Sequence, residues 1–356
     1  MDVKKTRPGR VGINDVAKAA GVSVTTVSHA LNGKGRIDPN TMERVREVAQ
    51  SLGYRANPAA SNLRGGRSGL IGIAYASSEL SVSLTDLDHF VGLFSSASQT
   101  ALNMGYSLVL TSASVAALER LPLEGMILVD PVSEDPLLMY FARKKLPVVT
   151  IGRDPLASSA PNFWVDNDLV RDTQAVLDHL YSAGARRIAL LSPPPLYSYS
   201  QDIITAYQQW VEQRGLPELI EATATGFNES AGYEAAERLF QSATPPDGIH
   251  CAVDRYAKGV LLSASIRGIQ VPGKLLVSAG TDSEIARHAN PPLTALDLRP
   301  KEAGVRVVEL LADLIRGQVQ EPHVFISSKL VVRQSTECED REAKTGLVRS
   351  ELPLAP

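Results

Sequence analysis

Thr25 and His29 are the residues near the start of the chain best placed to recognise another molecule. They stand four apart within Val24-Thr25-Thr26-Val27-Ser28-His29-Ala30-Leu31-Asn32, so on a helix they project from one side. Val27 and Leu31, also four apart, then fall on the opposite side and can join a core. A hydroxyl and an imidazole on an exposed helix face suit the edges of bases in a major groove. Ser23 is a good N-cap for such a helix. A plain helical hairpin with a polar outer face would show the same short pattern.

The elements that must hold this face follow from the neighbouring residues. Ile13, Val16, Ala17 and Ala20 share one side of a preceding helix, and Gly21 supplies the backbone freedom for a sharp turn. Gly12 is a weaker cap than Ser or Thr by only a few tenths of a kcal/mol (roughly). Asp15 in the first turn faces the helix dipole favourably. A third helix is marked by Asp38 as cap, Pro39 at the first position, Val45, Val48, Ala49 and Leu52 as its buried stripe, and Gly53 as its stop. Asn57-Pro58 opens a further segment of about two turns to Leu63-Arg64, too short to be stable alone in water. Residues 1–10, basic and containing Pro8 and Gly9, read as a flexible arm. The spacing Gly66-x-x-Gly69-x-x-Gly72 has no strand before it and no helix after it, which argues against a dinucleotide site.

At 356 residues the chain is long enough for two or three domains. Its net charge of −3 is unevenly divided: residues 1–67 hold 12 Lys/Arg against 5 Asp/Glu, and the remainder 24 against 34. A basic head on an acidic body suits a DNA contact made by the head alone. Two cysteines, Cys251 and Cys338, are too few for a disulfide framework, which fits a reducing cytoplasm. The start, Met1-Asp2-Val3-Lys4-Lys5, lacks a signal-peptide core, and no apolar run approaches membrane-spanning length. A soluble, cytoplasmic protein is expected. The six histidines, at 29, 89, 179, 250, 288 and 323, lack metal-ligand spacing, and no serine sits in a nucleophile elbow. Neither an enzyme nor a metal or other cofactor is expected.

From Leu70 the pattern becomes strand, helix, strand. Expected strands are Leu70–Tyr75, Ser107–Thr111, Gly125–Val129 and Pro147–Ile151, with a helix from about Phe90 to Met104. A second set follows: Phe163–Val165, a helix Asp168–Ala183, Arg187–Leu191, Ile249–Val253 and Leu275–Ala279. β-Branched runs separated by helices imply parallel sheets. The expected fold class is therefore α/β: a small all-α head followed by two parallel-sheet lobes, with a ligand cleft at the carboxyl ends of the strands.

The run Ile13–Asn32, the stretch from Ile37 to Arg55, and Asn57-Pro58-Ala59-Ala60-Ser61-Asn62-Leu63-Arg64 resemble the DNA-binding headpiece of the LacI family of bacterial transcription regulators. The resemblance continues through Gly125–Leu128, Leu146–Arg153, Val165-Asp166-Asn167, Pro291–Thr294 and Leu330–Thr336, nearly the whole chain. It implies a helix-turn-helix domain at 11–55, a hinge helix and linker at 56–67, and a core at 68–336 like the periplasmic sugar-binding proteins. Lobe 1 would comprise about 68–162 and 292–323, and lobe 2 about 163–291 and 324–336, with three crossings between them. Residues 337–356 read as a disordered tail.

Family membership would make the protein a sequence-specific regulator, a repressor first of all, bound to a near-palindromic double-stranded DNA operator as a homodimer or tetramer. A small-molecule effector in the cleft stays open, as does an interaction protein whose head has a non-DNA role. Carried over by motif, DNA contacts fall on Ser23, Val24, Thr25, Thr26, Ser28, His29, Asn32, Tyr54, Asn57, Ala60, Leu63 and Arg64, with Leu63 wedged into the minor groove. Ligand contacts fall on Ser77, His89, Phe90, Arg153, Ile203, Phe227, Asp254 and Asp282. An aromatic wall with a carboxylate suits a neutral polyhydroxylated or heterocyclic ligand. Three residues depart from the family pattern: Ile203 replaces an arginine that pairs with the ligand, Val253 an asparagine, and Thr281 an aromatic.

Overall fold

A computed structural model describes residues 11–32, 37–54, 67–75, 87–112, 114–154, 163–223 and 226–337. The chain divides into two compact units that meet at Gly69/Leu70. The described residues of the first hold three helices, α1 (Ile13–Ala20), α2 (Val24–Asn32) and α3 (Pro39–Ser51). Asp38 caps α3 through the Thr41 N–H at 3.0 Å, with Pro39 next in line. Val45 and Ala49 are buried as the spacing requires, and Val48 packs partly against the same core. Leu52 is not part of that buried stripe: it is 37% exposed, because the helix ends at Ser51 and the chain turns away through Gly53 at φ 64°.

The second unit carries two six-stranded sheets. The first sheet is built from β1 (Leu70–Tyr75), β2 (Ser107–Leu110), β3 (Gly125–Val129), β4 (Val148–Ile151), β5 (Trp164–Asn167) and β11 (His323–Ile326), all parallel, in the order β11-β5-β4-β3-β1-β2. The second contains β6 (Ile188–Ser192), β7 (Ile220–Ala222), β8 (Gly248–Cys251), β9 (Leu276–Ala279), β10 (Thr294–Asp297) and β12 (Lys329–Val331), in the order β12-β10-β9-β8-β6-β7. Only β12 runs antiparallel to its neighbour among these described strands. Central strands such as β3 and β6 are buried along their full length, as strands covered by helices on both faces must be.

Three lobe boundaries differ from the expected ones. Trp164–Asn167 belongs to the first sheet rather than opening the second lobe, since Thr150 and Ile151 pair with Trp164 and Val165. Thr294–Asp297 lies in the second sheet beside β9, so the return to the first lobe comes after Asp297. His323–Ile326 then completes the first sheet against β5. The chain thus passes between the sheets three times: after Asn167, after Asp297 and after Ile326.

Close helix contacts complete each lobe. In the first, α4 (Leu87–Asn103) lies against α12 (Pro300–Arg316), and Gly304 sits where a Cβ would stand 2.2 Å from Ser96 Oγ. In the second, helices α9 (Glu229–Phe240) and α10 (Asp254–Ile266) meet at Gly232 and Gly259. Cys251 is buried in β8, and burial pushes its thiol pKa up. The remaining helices are α5 (Val115–Leu118), α6 (Pro136–Lys144), α7 (Leu169–Ser182), α8 (Ser198–Arg214) and α11 (Glu284–His288).

Candidate functional site

In the head, α2 is set by its two ends. Gly21 caps α1 at φ 66°, and Ser23 Oγ accepts the Thr26 N–H at 3.1 Å. The Gly12 N–H donates to Asp15 Oδ2 at 2.8 Å, the reciprocal half of a capping box. Val16, Ala17, Ala20, Val27, Ala30, Val45 and Ala49 form the core, and Leu31 packs partly against it. Thr25 and His29 are exposed on the outer side of α2, with Thr26 and Ser28 half-buried beside them. Val24 and Tyr54 both pack partly against the head core, which limits what either offers outward. Asn32 ends α2. Asn57, Ala60, Leu63 and Arg64 lie outside the described residues, as do most of the hinge segment, Ser77, and the tail from 338.

Between the two sheets lies a cavity of about 190 Å³. It brings together His89, Phe90, Ile203, Phe227 and Asp254 of the residues named from sequence. Val253 and Thr281, two of the departures from the family pattern, line it as well. Arg153 and Asp282 are not in the lining. Arg153 instead joins the lobes: its Nε donates to Asp166 at 2.9 Å, another guanidinium nitrogen bonds Asp202 on α8, and its N–H donates to Ser198 Oγ at 3.1 Å. Asp282 is engaged by Arg333 at 2.8 Å. Among the described residues no group of three or more His, Cys, Asp or Glu side chains is arranged to hold a metal ion.

Sequence reasoning missed Asp130, Asp166, Asn167, Tyr199, His250 and Arg255 in the lining. Most of the charged ones are engaged. Asp166 has Arg153, Asp254 accepts from Ser283 Oγ and the Arg255 N–H, and the Arg255 guanidinium donates to the Phe227 carbonyl at 2.6 Å. His250 is fully buried in β8; its Nδ1 meets Ser278 Oγ at 3.0 Å, while Nε2 has no partner. Burial pushes its pKa down to about 4, so the ring is neutral at physiological pH. Asp130 follows β3 with φ 50°, and no hydrogen bond from the described residues holds its carboxylate. Burial, then the nearby Asp166 charge, raise its pKa to about 7.

That shift has a definite sign. A carboxyl whose pKa is raised on folding stabilises the fold at low pH, and the contribution is lost as pH rises through the folded value. The Asp130 contribution is therefore expected to fall between about pH 4 and pH 7. Asp130→Asn should flatten this part of a stability profile measured by urea unfolding. The same-signed contribution of Asp202, raised to about 6 chiefly by burial, should remain. An unchanged slope in the variant would remove Asp130 as its source.

A three-helix head with an exposed α2 face is thus followed by two parallel-sheet lobes around a cavity. Residues 12–57 match the lacI family of bacterial regulatory proteins, and residues 177–336 match a periplasmic binding protein-like domain. The chain is 30% identical over 342 residues to the HTH-type transcriptional regulator DegA of Bacillus subtilis (strain 168), covering 91% of this chain and 97% of that one. It is 27% identical to the regulator CelR of Thermobifida fusca, over 92% of this chain and 99% of the relative. A solved lac repressor dimer bound to operator and the anti-inducer ONPF matches in fold, with a TM-score of 0.80 and 22% identity over 93% of this chain and all of that one. The chain belongs to the LacI family. It is a helix-turn-helix DNA-binding transcriptional regulator, and its relatives are regulators rather than enzymes.

Proposed function

We propose that the protein is a repressor that binds a near-palindromic operator as a homodimer, and that a small molecule in the interlobe cleft modulates this binding. The observation that carries the DNA side is the exposed Thr25–His29 face of α2, held on a capped three-helix core. A dimer is supported by apolar side chains left in solvent on the larger unit: Val91, Leu110, Leu262 and Ile266 are 54, 67, 45 and 66% exposed. The site of action is the cytoplasm, where the operator is. In this reading Leu63 enters the minor groove at the centre of the site. Footprinting of the purified protein on the DNA upstream of its own gene tests the proposal; no protected site at low salt would overturn it.

His29 sets the preference at the outer half-site. An arginine reads guanine through two parallel hydrogen bonds, whereas a neutral imidazole has one donor and one acceptor nitrogen. His29→Arg is expected to sharpen the guanine preference at one symmetric pair of positions by about 1–3 kcal/mol. Selection from a randomised operator library, wild type against variant, measures this; identical preferences would mean that His29 touches only phosphate or solvent.

On the ligand side, Ile203 is 4% exposed and lines the cleft, where it offers no charged hydrogen bond. Simple hexoses and pentose phosphates are accordingly not expected as effectors. A solved complex of the regulator CelR with cellobiose, matching with a TM-score of 0.68 and 25% identity over 92% of this chain and all of that one, shows a related protein holding a sugar.

A further inference from the structure

We infer that the cleft is built for an organic monocation, an amine with an aromatic or aliphatic body, whose ammonium pairs with Asp130 on the first lobe while a polar group on its body meets Nε2 of His250 on the second. The inference rests on the reading of the cleft as an effector site and names the chemical class of that effector.

Among the described residues three carboxylates line the cavity, those of Asp130, Asp166 and Asp254, against the one guanidinium of Arg255. Two of the three already have donors in the protein, and the Arg255 guanidinium is turned to the Phe227 carbonyl. Asp130 is left as the lining carboxylate that no donor among the described residues satisfies. A buried anion without a donor is costly, and a ligand that brings a positively charged donor removes that cost. A hydroxyl donor would restore the hydrogen bond without the charge. The rings of Phe90, Tyr199 and Phe227 in the same lining favour an aromatic or aliphatic body over a strongly hydrated one.

His250 is the second, independent sign of a ligand. It occupies a fully buried strand position, is 0% exposed and lines the cavity, and its Nε2 has no partner among the described residues. Ser278 on the neighbouring strand holds the other ring nitrogen and so fixes the ring's orientation. A neutral imidazole offers a directional hydrogen bond and does not repel a cation. Asp130 follows a strand of the first sheet and His250 lies in the second, so a molecule satisfying both spans the two lobes.

The test is titration calorimetry on the full chain with 2-phenylethylamine and tyramine, each beside its neutral alcohol counterpart, 2-phenylethanol and tyrosol. The amines are expected to bind about tenfold or more tightly than the alcohols, and Asp130→Asn should erase that difference. Tyramine's advantage over 2-phenylethylamine should disappear in His250→Phe. Amines that bind no better than alcohols, or an advantage that survives in Asp130→Asn, overturn the inference. The effector reading is decided separately, by release of the protein from its footprinted operator. Release by cellobiose, adenine or uracil with the amines silent sinks the amine and keeps the effector; amine binding without release keeps the ligand class and sinks the modulation.

Discussion

Raising the salt from about 50 to 200 mM is expected to weaken operator binding by about 10³–10⁵-fold. The reason is where the charge lies. Residues 1–67 hold 12 Lys/Arg against 5 Asp/Glu, and a dimer brings two such heads to one duplex. If about 6–10 of those cations neutralise phosphates, condensed counterions are released on binding, and added salt opposes that release. The acidic remainder, with 24 basic against 34 acidic residues, offsets none of this and keeps non-specific contact with DNA low. Fluorescence anisotropy over a series of salt concentrations gives the slope of log affinity against log salt. Neutralising exposed Lys18 tests a single cation, and each phosphate that goes unneutralised should reduce the slope by about 0.9. A slope near zero would mean that the basic head does not lie along the phosphates.

Gly259→Val is expected to destabilise the larger unit by about 3 kcal/mol, near the upper end for overpacking. A Cβ at Gly259 would stand 2.2 Å from the Glu229 carbonyl oxygen and 2.4 Å from the Tyr233 nitrogen. Both are backbone atoms of α9, so no side chain can swing aside; the helices must separate. Gly232, facing it, is equally tight, with Tyr256 Cα 2.4 Å from its would-be Cβ. Gly92 in α4 is the control. There the nearest atom to a new Cβ is Pro300 Cγ at 3.5 Å, an ordinary contact. Gly92→Ala should therefore be neutral or more stable by up to about 1 kcal/mol, since alanine loses less conformational entropy in a helix. Urea unfolding of both variants checks the pair; a Gly259→Val midpoint equal to wild type would show that the helix contact is loose.

The head was legible in the sequence because its signals are local. Gly21, Ser23, Asp38 and Pro39 act within one turn of where they stand, and the spacing of Val16, Ala20 and Val27 needs no distant partner to be read. Leu52 escaped that reading because its exposure depends on where the helix stops. The lobes were legible as strands and helices but not as a partition. Trp164–Asn167 followed by α7 reads as the opening of a new β-α unit, and only its pairing with β4 and β11, the latter about 160 residues away in sequence (roughly the span of a whole domain), assigns it to the first sheet. The cleft divides the same way. Phe90, Phe227, Ile203 and Asp254 were found through the motifs around them. His250 sits in an apolar strand run, and Asp130 lies just past a strand end with no motif around it; their shared cavity exists only once both sheets are assembled.

Asn167 ends β5, where the chain first leaves one lobe for the other, and its side-chain amide reaches the Leu298 carbonyl at 3.2 Å, the Ile326 carbonyl at 3.0 Å and Ser328 Oγ at 3.1 Å. Those acceptors lie on the second and third crossings, so two amide protons are shared among three oxygens drawn from both returning segments. Three separate straps between two bodies would resist twisting in proportion to their spread. Gathered at one side chain, they form a pivot: the Ile326 bond lies within the first sheet, where Ile326 already pairs with Asn167, so moving the bodies apart strains the bonds to Leu298 and Ser328. That asparagine shares the stiffness of the pivot with Arg153, whose bonds to Asp202 and Ser198 also tie one lobe to the other.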